Sequence, residues 1–371
     1  MRKILFLPLL RLPSGHHHVA ESIQQQLEQA EDEFTYEKVE LISHSYGRAE
    51  SIISTAYLSW IHSFPKFYSM VYQYGALRER AVNKRYLLYE WLFQKKILQL
   101  LLQTRPDVVI CTHALPSYLL SRLKAKGAWN GKVVNVYTDY FINNLWGIKE
   151  INYHLVPSQQ VKKYLMDRGV LPDHIIVSGI PIHPTLQTRK KSSGHSTGYT
   201  IIISGGNMGA GPMRELLHHL KPEGLVHYKV LCGKNFRLYH HLRHSGLSNV
   251  QPIPYISSKQ KMNELYDAAD AFITKPGGIT VTECLWKKIP LFVYESLPGQ
   301  EEINLKYLKE HGLASHLPSW KNTTFSMEKI ILEELMDSDR ISRWVRQMEK
   351  FHEGLEKTDF PELIRKIITS D

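Results

Sequence analysis

Short apolar runs alternate with longer amphipathic stretches along the first half of the chain. KILFLPLL is followed by GHHHVAESIQQQLEQA and YEKVELI; further on come PDVVICTH, SYLLSRLKAKG, KVVNVYTD and NYHLVPS. A run without polar alternation suits a strand buried on both faces, and helical connections between such runs imply βαβ units around a parallel sheet. The segment between Thr188 and Gly198 is polar, rich in Ser and Gly and without periodicity, as a linker is. Beyond it the pattern restarts with YTIIISGG, VHYKVLCG, DAFITKPGG and IPLFVYES, each followed by a helical stretch. From Ser326 onward, MEKIILEELM and RWVRQMEKF show helical spacing. No short internal repeat is visible, although the two halves share an architecture.

A chain of 371 residues exceeds what one core usually supports, so two domains are expected. Residues 1–190 form the first α/β domain, 198–345 the second, and 346–371 a helix closing back onto the first. Residues 51–102 stand apart, with Trp, Tyr and Phe interleaved with Arg and Lys. Amphipathic helices of this kind lie in a membrane interface, rings inserted and cations on lipid phosphate, and Trp60, Phe64 and Phe67 are the candidate contacts. The same aromatics would equally form the core of a helical insertion.

Composition narrows the classes. Apolar residues make up 43% and charged residues 22%, which excludes disordered and fibrous chains. Lys and Arg stand against Asp and Glu as 24 to 15 in residues 1–195 and as 22 to 21 in 196–371, giving the net +10. That asymmetry suits an anionic partner or a scattered solvated surface. Cys111, Cys232 and Cys284 are widely spaced and form no CxxC, which argues against a disulfide framework and a zinc site and fits reduced cytoplasm. Pro8 interrupts the apolar start, so a buried strand rather than a signal peptide is expected there. No run is apolar enough for a spanning helix.

Two glycine turns follow predicted strands in the second half: Ser204-Gly205-Gly206-Asn207-Met208-Gly209 and Thr274-Lys275-Pro276-Gly277-Gly278. Glycine lets backbone N–H groups approach phosphate oxygens, and the helix that follows aims its positive end at them. Neither turn matches a dinucleotide or Walker fingerprint. Glu283 lies where a carboxylate would accept both ribose hydroxyls, but Thr280 and Glu283 also have capping-box spacing. The next turn, Pro298-Gly299-Gln300-Glu301 with Asn304 beyond it, favours the ligand role, since polar groups at a glycine-led helix start suit sugar hydroxyls.

TKPGGITVTE followed by PGQExxN resembles the signature of monogalactosyldiacylglycerol synthases and bacterial diacylglycerol glucosyltransferases, with the peptidoglycan N-acetylglucosaminyltransferase a more distant relative. Gly15-His16 with Val19-Ala20, Thr138-Asp139 and Trp146, Gly179-Ile180-Pro181-Ile182 and Gly233-Lys234-Asn235 extend the likeness over nearly the whole chain. The resemblance implies a GT-B fold, two Rossmann-like domains facing across a cleft. It also implies a UDP-sugar donor bound mainly by the C-terminal domain, and inversion at the anomeric carbon. Carried over, Gly206 and Gly209 line the diphosphate with Gly277 and Gly278 opposite, and Asn207, Gly233, Lys275 and Thr280 join the donor-binding residues. Glu283 takes the ribose, Gln300 and Glu301 the hexose, and the backbone near Tyr255 the uracil. Trp146 joins the acceptor-facing residues.

His16 stands at the family's GH position. Direct displacement needs the acceptor hydroxyl deprotonated as it attacks, and histidine titrates near neutrality. Asp139 either orients His16 or is itself the base. The run His16-His17-His18 raises a metal site, but consecutive residues rarely converge on one centre. The DxD at Asp337-Ser338-Asp339 reads as a helix boundary, so no cofactor or essential divalent metal is expected and helix N-termini stabilise the leaving group. Asn143 stands where the family has histidine, and His183 where arginine often follows GIPI; both departures bear on the acceptor side.

The reading is a cytoplasmic transferase, peripheral on the inner face of the cell membrane, moving a hexose from a UDP-sugar to a lipid hydroxyl, diacylglycerol first. Its partners are the UDP-sugar, the lipid acceptor and the anionic membrane surface, with no nucleic acid. A transferase on a polyprenyl-linked or soluble acceptor, a UDP-N-acetylglucosamine 2-epimerase and a non-catalytic UDP-sugar sensor are the alternatives.

Overall fold

The computed structural model describes residues 1–9, 14–28, 33–46, 85–186, 198–206, 209, 212–220, 226–317 and 326–370. Trp60, Phe64, Phe67 and Asn207 lie outside the described residues. The chain divides into two compact units: Met1–Pro184 with Gly354–Asp371, and Thr185–Glu353.

In the first unit the described elements run β1 (Arg2–Phe6), α1 (Gly15–Glu28), β2 (Phe34–Lys38), α2 (Leu41–Tyr46) and α3 (Leu87–Thr104), then β3 (Val108–Cys111), α4 (Ala114–Ala125), β4 (Lys132–Val136), β5 (Tyr153–Leu155), α5 (Gln159–Met166) and β6 (Ile175–Ile176). The strands form one sheet in the order β2-β1-β3-β4-β5-β6, every pairing parallel. Strands such as VVIC are buried throughout, as a sheet covered on both faces requires. The run YEKVELI does not continue as a strand, because Leu41 and Ile42 turn into α2 and bury in the core. Strand order reverses between β1 and β3, so the segments leaving their C-terminal ends open side by side, where doubly wound sheets bind ligands.

The second unit runs β7 (Tyr199–Ser204), α6 (Met213–Leu220), β8 (Val226–Leu231), α7 (Phe236–Arg243), β9 (Val250–Ile253), α8 (Lys259–Asp267), β10 (Ala271–Thr274), α9 (Gly278–Trp286), β11 (Leu291–Val293), α10 (Gln300–Glu310), β12 (Ser315–His316), α11 (Met327–Met336) and α12 (Ser338–Glu353). Its parallel sheet has the order β12-β11-β10-β7-β8-β9, the Rossmann order. Strand order reverses between β7 and β10, which pair from Ala271↔Ile201 to Thr274↔Ser204. Both glycine turns therefore leave from adjacent strand ends.

α12 runs unbroken through residue 345, where the sequence placed the end of the second domain, and the chain changes unit only after Glu353. The helix stays with the second sheet because Trp344 packs edge-on against Phe292 and Met348 is buried. The last helix, α13 (Phe360–Thr369), lies against α1 in the first unit. Lys132 Nζ donates to the carbonyls of Ile367 (2.8 Å), Ile368 (3.0 Å) and Ser370, placing a cation on that helix's negative end.

Candidate active site

At the switch point of the first sheet, α1 begins at Gly15 and brings His16 beside the segment following β3. His16 Nδ1 donates to the Thr112 carbonyl at 2.6 Å. A carbonyl only accepts, so Nδ1 carries the proton, and in the neutral ring Nε2 keeps its lone pair. The Thr138 hydroxyl, at the end of β4, is 3.1 Å from that Nδ1 and 3.5 Å from Asp139 Oδ2, so it stands between ring and carboxylate. Burial lowers the His16 pKa below the usual histidine value, with Asp139 and the Thr112 carbonyl partly opposing it. The His113 ring lies 4.2 Å from that of His16, tilted by 45°. Burial first, then the neighbouring histidines, hold His113 well below the usual value. Thr112 and His113 escaped the sequence reading, since nothing in PDVVICTH marks them; sheet topology brings them to His16.

His17 is buried with Nδ1 3.2 Å from the Ser14 hydroxyl, and His18 lies 3.6 Å from Glu21, so the three histidines diverge. Among the described residues no three His, Cys, Asp or Glu groups meet as metal ligands. Trp146, expected to face the acceptor, is instead a core residue 8% exposed with its ring 4.5 Å from that of Tyr137. The large apolar ring buries more favourably in this core cluster, against Tyr137, than it would at the surface.

Helix α3 covers the described part of the aromatic and basic stretch. Phe93, Ile97, Leu100 and Leu101 join the core, while Leu87, Leu88 and Trp91 in its first turns are exposed, Trp91 by 79%. Beside them the buried Glu90 carboxylate accepts from Arg85 (2.8 Å), Tyr118 (2.8 Å) and Lys126 (3.2 Å), with Arg122 Nε at 3.6 Å. Hydrogen bonds led by Arg85 hold its carboxyl down at about 2. Among the described residues no helix is long and apolar enough to cross a membrane.

The second unit concentrates backbone rather than side chains at its switch point. Gly206 has φ +77°, which favours glycine. Gly209 has φ +57°, and a Cβ there would lie 2.0 Å from the Cys232 carbonyl oxygen, so the turn rests directly on the segment after β8. Asn235 fastens it, donating to the Gly209 carbonyl at 3.1 Å while its Oδ1 accepts the Leu238 N–H and caps α7. Gly233 also has positive φ, at +54°, and Lys234 Nζ sits 5.5 Å from the centroid of the partly exposed Tyr255 ring.

Gly277 is different. Its φ is −78°, and among the described residues nothing would lie within 4 Å of an added Cβ. Among the described residues neither backbone strain nor packing asks for glycine, and the space in front of it is open, at the positive end of α9 where Lys275 precedes and Gly278 begins the helix. Because Gly277 is the N-cap, Thr280 lies inside the helix and cannot cap it, so the capping-box role of Glu283 falls away. Glu283 Oε2 instead accepts from the Tyr266 hydroxyl at 2.6 Å.

At the start of α10, Gly299 has φ +95° and its N–H donates to Glu302 at 2.9 Å, which makes Glu302 the capping residue. Leu297 N–H donates to Glu301 at 2.6 Å, while Gln300 is half-buried at the helix start. Asn304 is 1% exposed and donates to the Pro276 carbonyl at 3.0 Å. It joins the PGQE helix to the KPGG turn rather than reading a sugar. Asp337 accepts from the N–H groups of Asp339 (2.9 Å) and Arg340 (3.1 Å), so the DxD is the N-terminal cap of α12. The three cysteines are buried and unpaired.

Residues 16–182 match the monogalactosyldiacylglycerol synthase family, and residues 200–358 match the glycosyltransferase family 28 C-terminal domain. The chain is 46% identical over 321 residues to the uncharacterized glycosyltransferase YkoN of Bacillus subtilis, covering 86% of this chain and 85% of that one. It is 26% identical over 368 residues to a processive diacylglycerol beta-glucosyltransferase of Bacillus pumilus, covering 95% and 91%. Among solved structures, CalG4, the calicheamicin glycosyltransferase, superposes with a TM-score of 0.65 at 13% identity over 99% of this chain and 98% of that one. That likeness concerns the fold, and with the two parallel sheets it establishes the expected GT-B architecture.

Proposed function

We propose a reaction from one premise: this chain belongs to the glycosyltransferases in which a monogalactosyldiacylglycerol synthase domain precedes a family 28 C-terminal domain. Within that family we assign it the transfer of a hexose from a UDP-sugar to a lipid hydroxyl, diacylglycerol first, with inversion at the anomeric carbon. The observation that carries the reading is the His16 imidazole, protonated on Nδ1 by its bond to the Thr112 carbonyl and partly buried, which leaves Nε2 as a lone pair. In this reading Nε2 takes the acceptor proton as its oxygen attacks, and the nearby Asp139 charge stabilises the imidazolium that forms.

The donor is assigned to the second unit. Bare amides at Gly206, Gly209, Gly277 and Gly278 and the positive end of α9 cradle the diphosphate, with Lys275 adding a cation and Glu283 taking the ribose. Gln300 and Glu301 read the hexose, and the segment at Tyr255 takes the uracil. The negative charge that grows on departing UDP is stabilised by fixed dipoles, so no divalent metal is required. Support for a lipid acceptor comes from the diacylglycerol relative and from Leu87, Leu88 and Trp91, exposed beside three cations that surround one carboxylate. We place the enzyme peripherally on the anionic inner face of the cell membrane.

The test incubates purified protein with a panel of UDP-sugars and membrane lipids in the presence of a chelator and identifies products by mass. The expected product is a hexosyl lipid. Turnover of UDP-sugar without any acceptor would replace transfer by epimerisation or hydrolysis, and activity restored only by added metal would overturn the metal-free part.

A further inference from the structure

Helices α8 and α9 are joined by two polar rungs. In the first, the Tyr266 hydroxyl donates to Glu283 Oε2 at 2.6 Å. In the second, Lys287, the C-cap residue of α9 one turn beyond Glu283 and fully buried, donates to Asn263 (2.5 Å) and Asp267 (2.7 Å) on α8. Residues four apart on a helix share a face, so Glu283 and Lys287 present one polar edge to α8. Tyr266 is itself immobilised: it is 2% exposed, and its ring stacks on Phe272 of β10 with centroids 5.2 Å apart and planes 15° apart. Apolar packing needs only the ring. The hydroxyl adds a charge-assisted hydrogen bond that pins one carboxylate oxygen.

We propose that Tyr266 is the positioning residue for Glu283, and that by fixing this carboxylate it sets a preference for ribonucleotides over 2′-deoxyribonucleotides. The inference rests on the reading above in which Glu283 takes the ribose. A carboxylate offers about four acceptor positions on its two oxygens. Tyr266 occupies one of them and fixes the orientation in which two others accept the 2′ and 3′ hydroxyls together. Without the Tyr266 bond the carboxylate gains freedom to turn toward whichever hydroxyl is present, and the preference falls. Burial, with the Glu283 charge behind it, holds the Tyr266 phenol well above its usual pKa, so it remains a donor across the working range.

The test titrates full-length protein with UDP and with 2′-deoxy-UDP by calorimetry, for wild type, Tyr266→Phe, Glu283→Gln and the double variant. Wild type is expected to prefer UDP by about tenfold or more, the scale of one hydrogen bond to a charged acceptor. Tyr266→Phe keeps the ring against Phe272 and is expected to bring the preference to within about twofold. Its effect should vanish in the Glu283→Gln background. A change in stability alone would leave the ratio of the two affinities untouched. If Glu283→Gln weakens UDP binding while Tyr266→Phe retains the preference, the proposal is overturned and the ribose reading stands. If Glu283→Gln leaves UDP binding unchanged, the ribose reading itself fails. Should Tyr266→Phe not fold, Glu283→Asp serves, since it keeps the charge but draws the carboxylate back from Tyr266; a preference retained there overturns the proposal as well.

Discussion

The His16 cluster and the glycine turns after β7 and β10 occupy equivalent places, each where strand order reverses in a parallel sheet, yet they are made of opposite materials. The first is side chain upon backbone: an imidazole on the Thr112 carbonyl, a hydroxyl from Thr138 and a second ring from His113. The second is backbone with side chains removed. The difference follows from what each would handle. Moving a proton requires one nitrogen with a defined tautomer, which a buried carbonyl enforces. Binding a diphosphate requires several N–H groups close to large oxygens, which any Cβ would obstruct.

The comparison breaks most sharply at His16. His16→Ala is expected to lower kcat by about 10²- to 10⁴-fold, the range of general base catalysis, while UDP affinity stays within about twofold. Steady-state rates and calorimetry on the same preparation check both halves, and a comparable loss of UDP affinity would erase the division of labour.

Next in size is Gly209→Ala. It combines positive φ with a Cβ 2.0 Å from the Cys232 carbonyl, so it should cost about 3 kcal/mol or more and lower the thermal unfolding midpoint by several degrees. Gly277→Ala separates folding from binding. With φ −78° and space before it, the substitution should change stability by no more than a cap exchange, about 1 kcal/mol, yet weaken UDP binding roughly tenfold because the methyl enters the space assigned to the diphosphate. Equal effects of the two glycine substitutions on unfolding would show that both turns are only structural.

The smallest effect concerns pH. A base acts in its neutral form, and burial lowers the His16 pKa, so kcat/KM should fall on the acid side only below about 6.5, the ordinary histidine value. The Asp139 charge raises that pKa, so Asp139→Asn should move the acid limb to still lower pH. A collapse of kcat at all pH values would make Asp139 the base instead.

Much of this was legible in the chain. Arg2–Phe6, Val108–Cys111 and Tyr199–Ser204 are strands of parallel sheets, where the apolar runs beginning KILF, PDVVIC and YTIIIS led one to expect them, whereas β6 and β12, two residues each, are too short to leave a pattern. Gly206, Gly277 and His16 could be marked as candidates because glycine after a strand and histidine at a helix start are local signals with a physical meaning. Trp146 misled because an aromatic beside acceptor motifs looks the same in sequence whether it faces solvent or core.

By itself, then, the sequence determined the two parallel-sheet units, the glycine turns and the identity of the candidate base, since each depends on residue type and near neighbours. Only the tertiary structure decided what holds these groups. The Thr112 carbonyl is 96 positions from His16, the Pro276 carbonyl 28 from Asn304 and the Tyr266 hydroxyl 17 from Glu283. Such partners are set by which strand ends and helices become neighbours, and a carbonyl, present at every residue, carries no mark of its role until the sheet has formed.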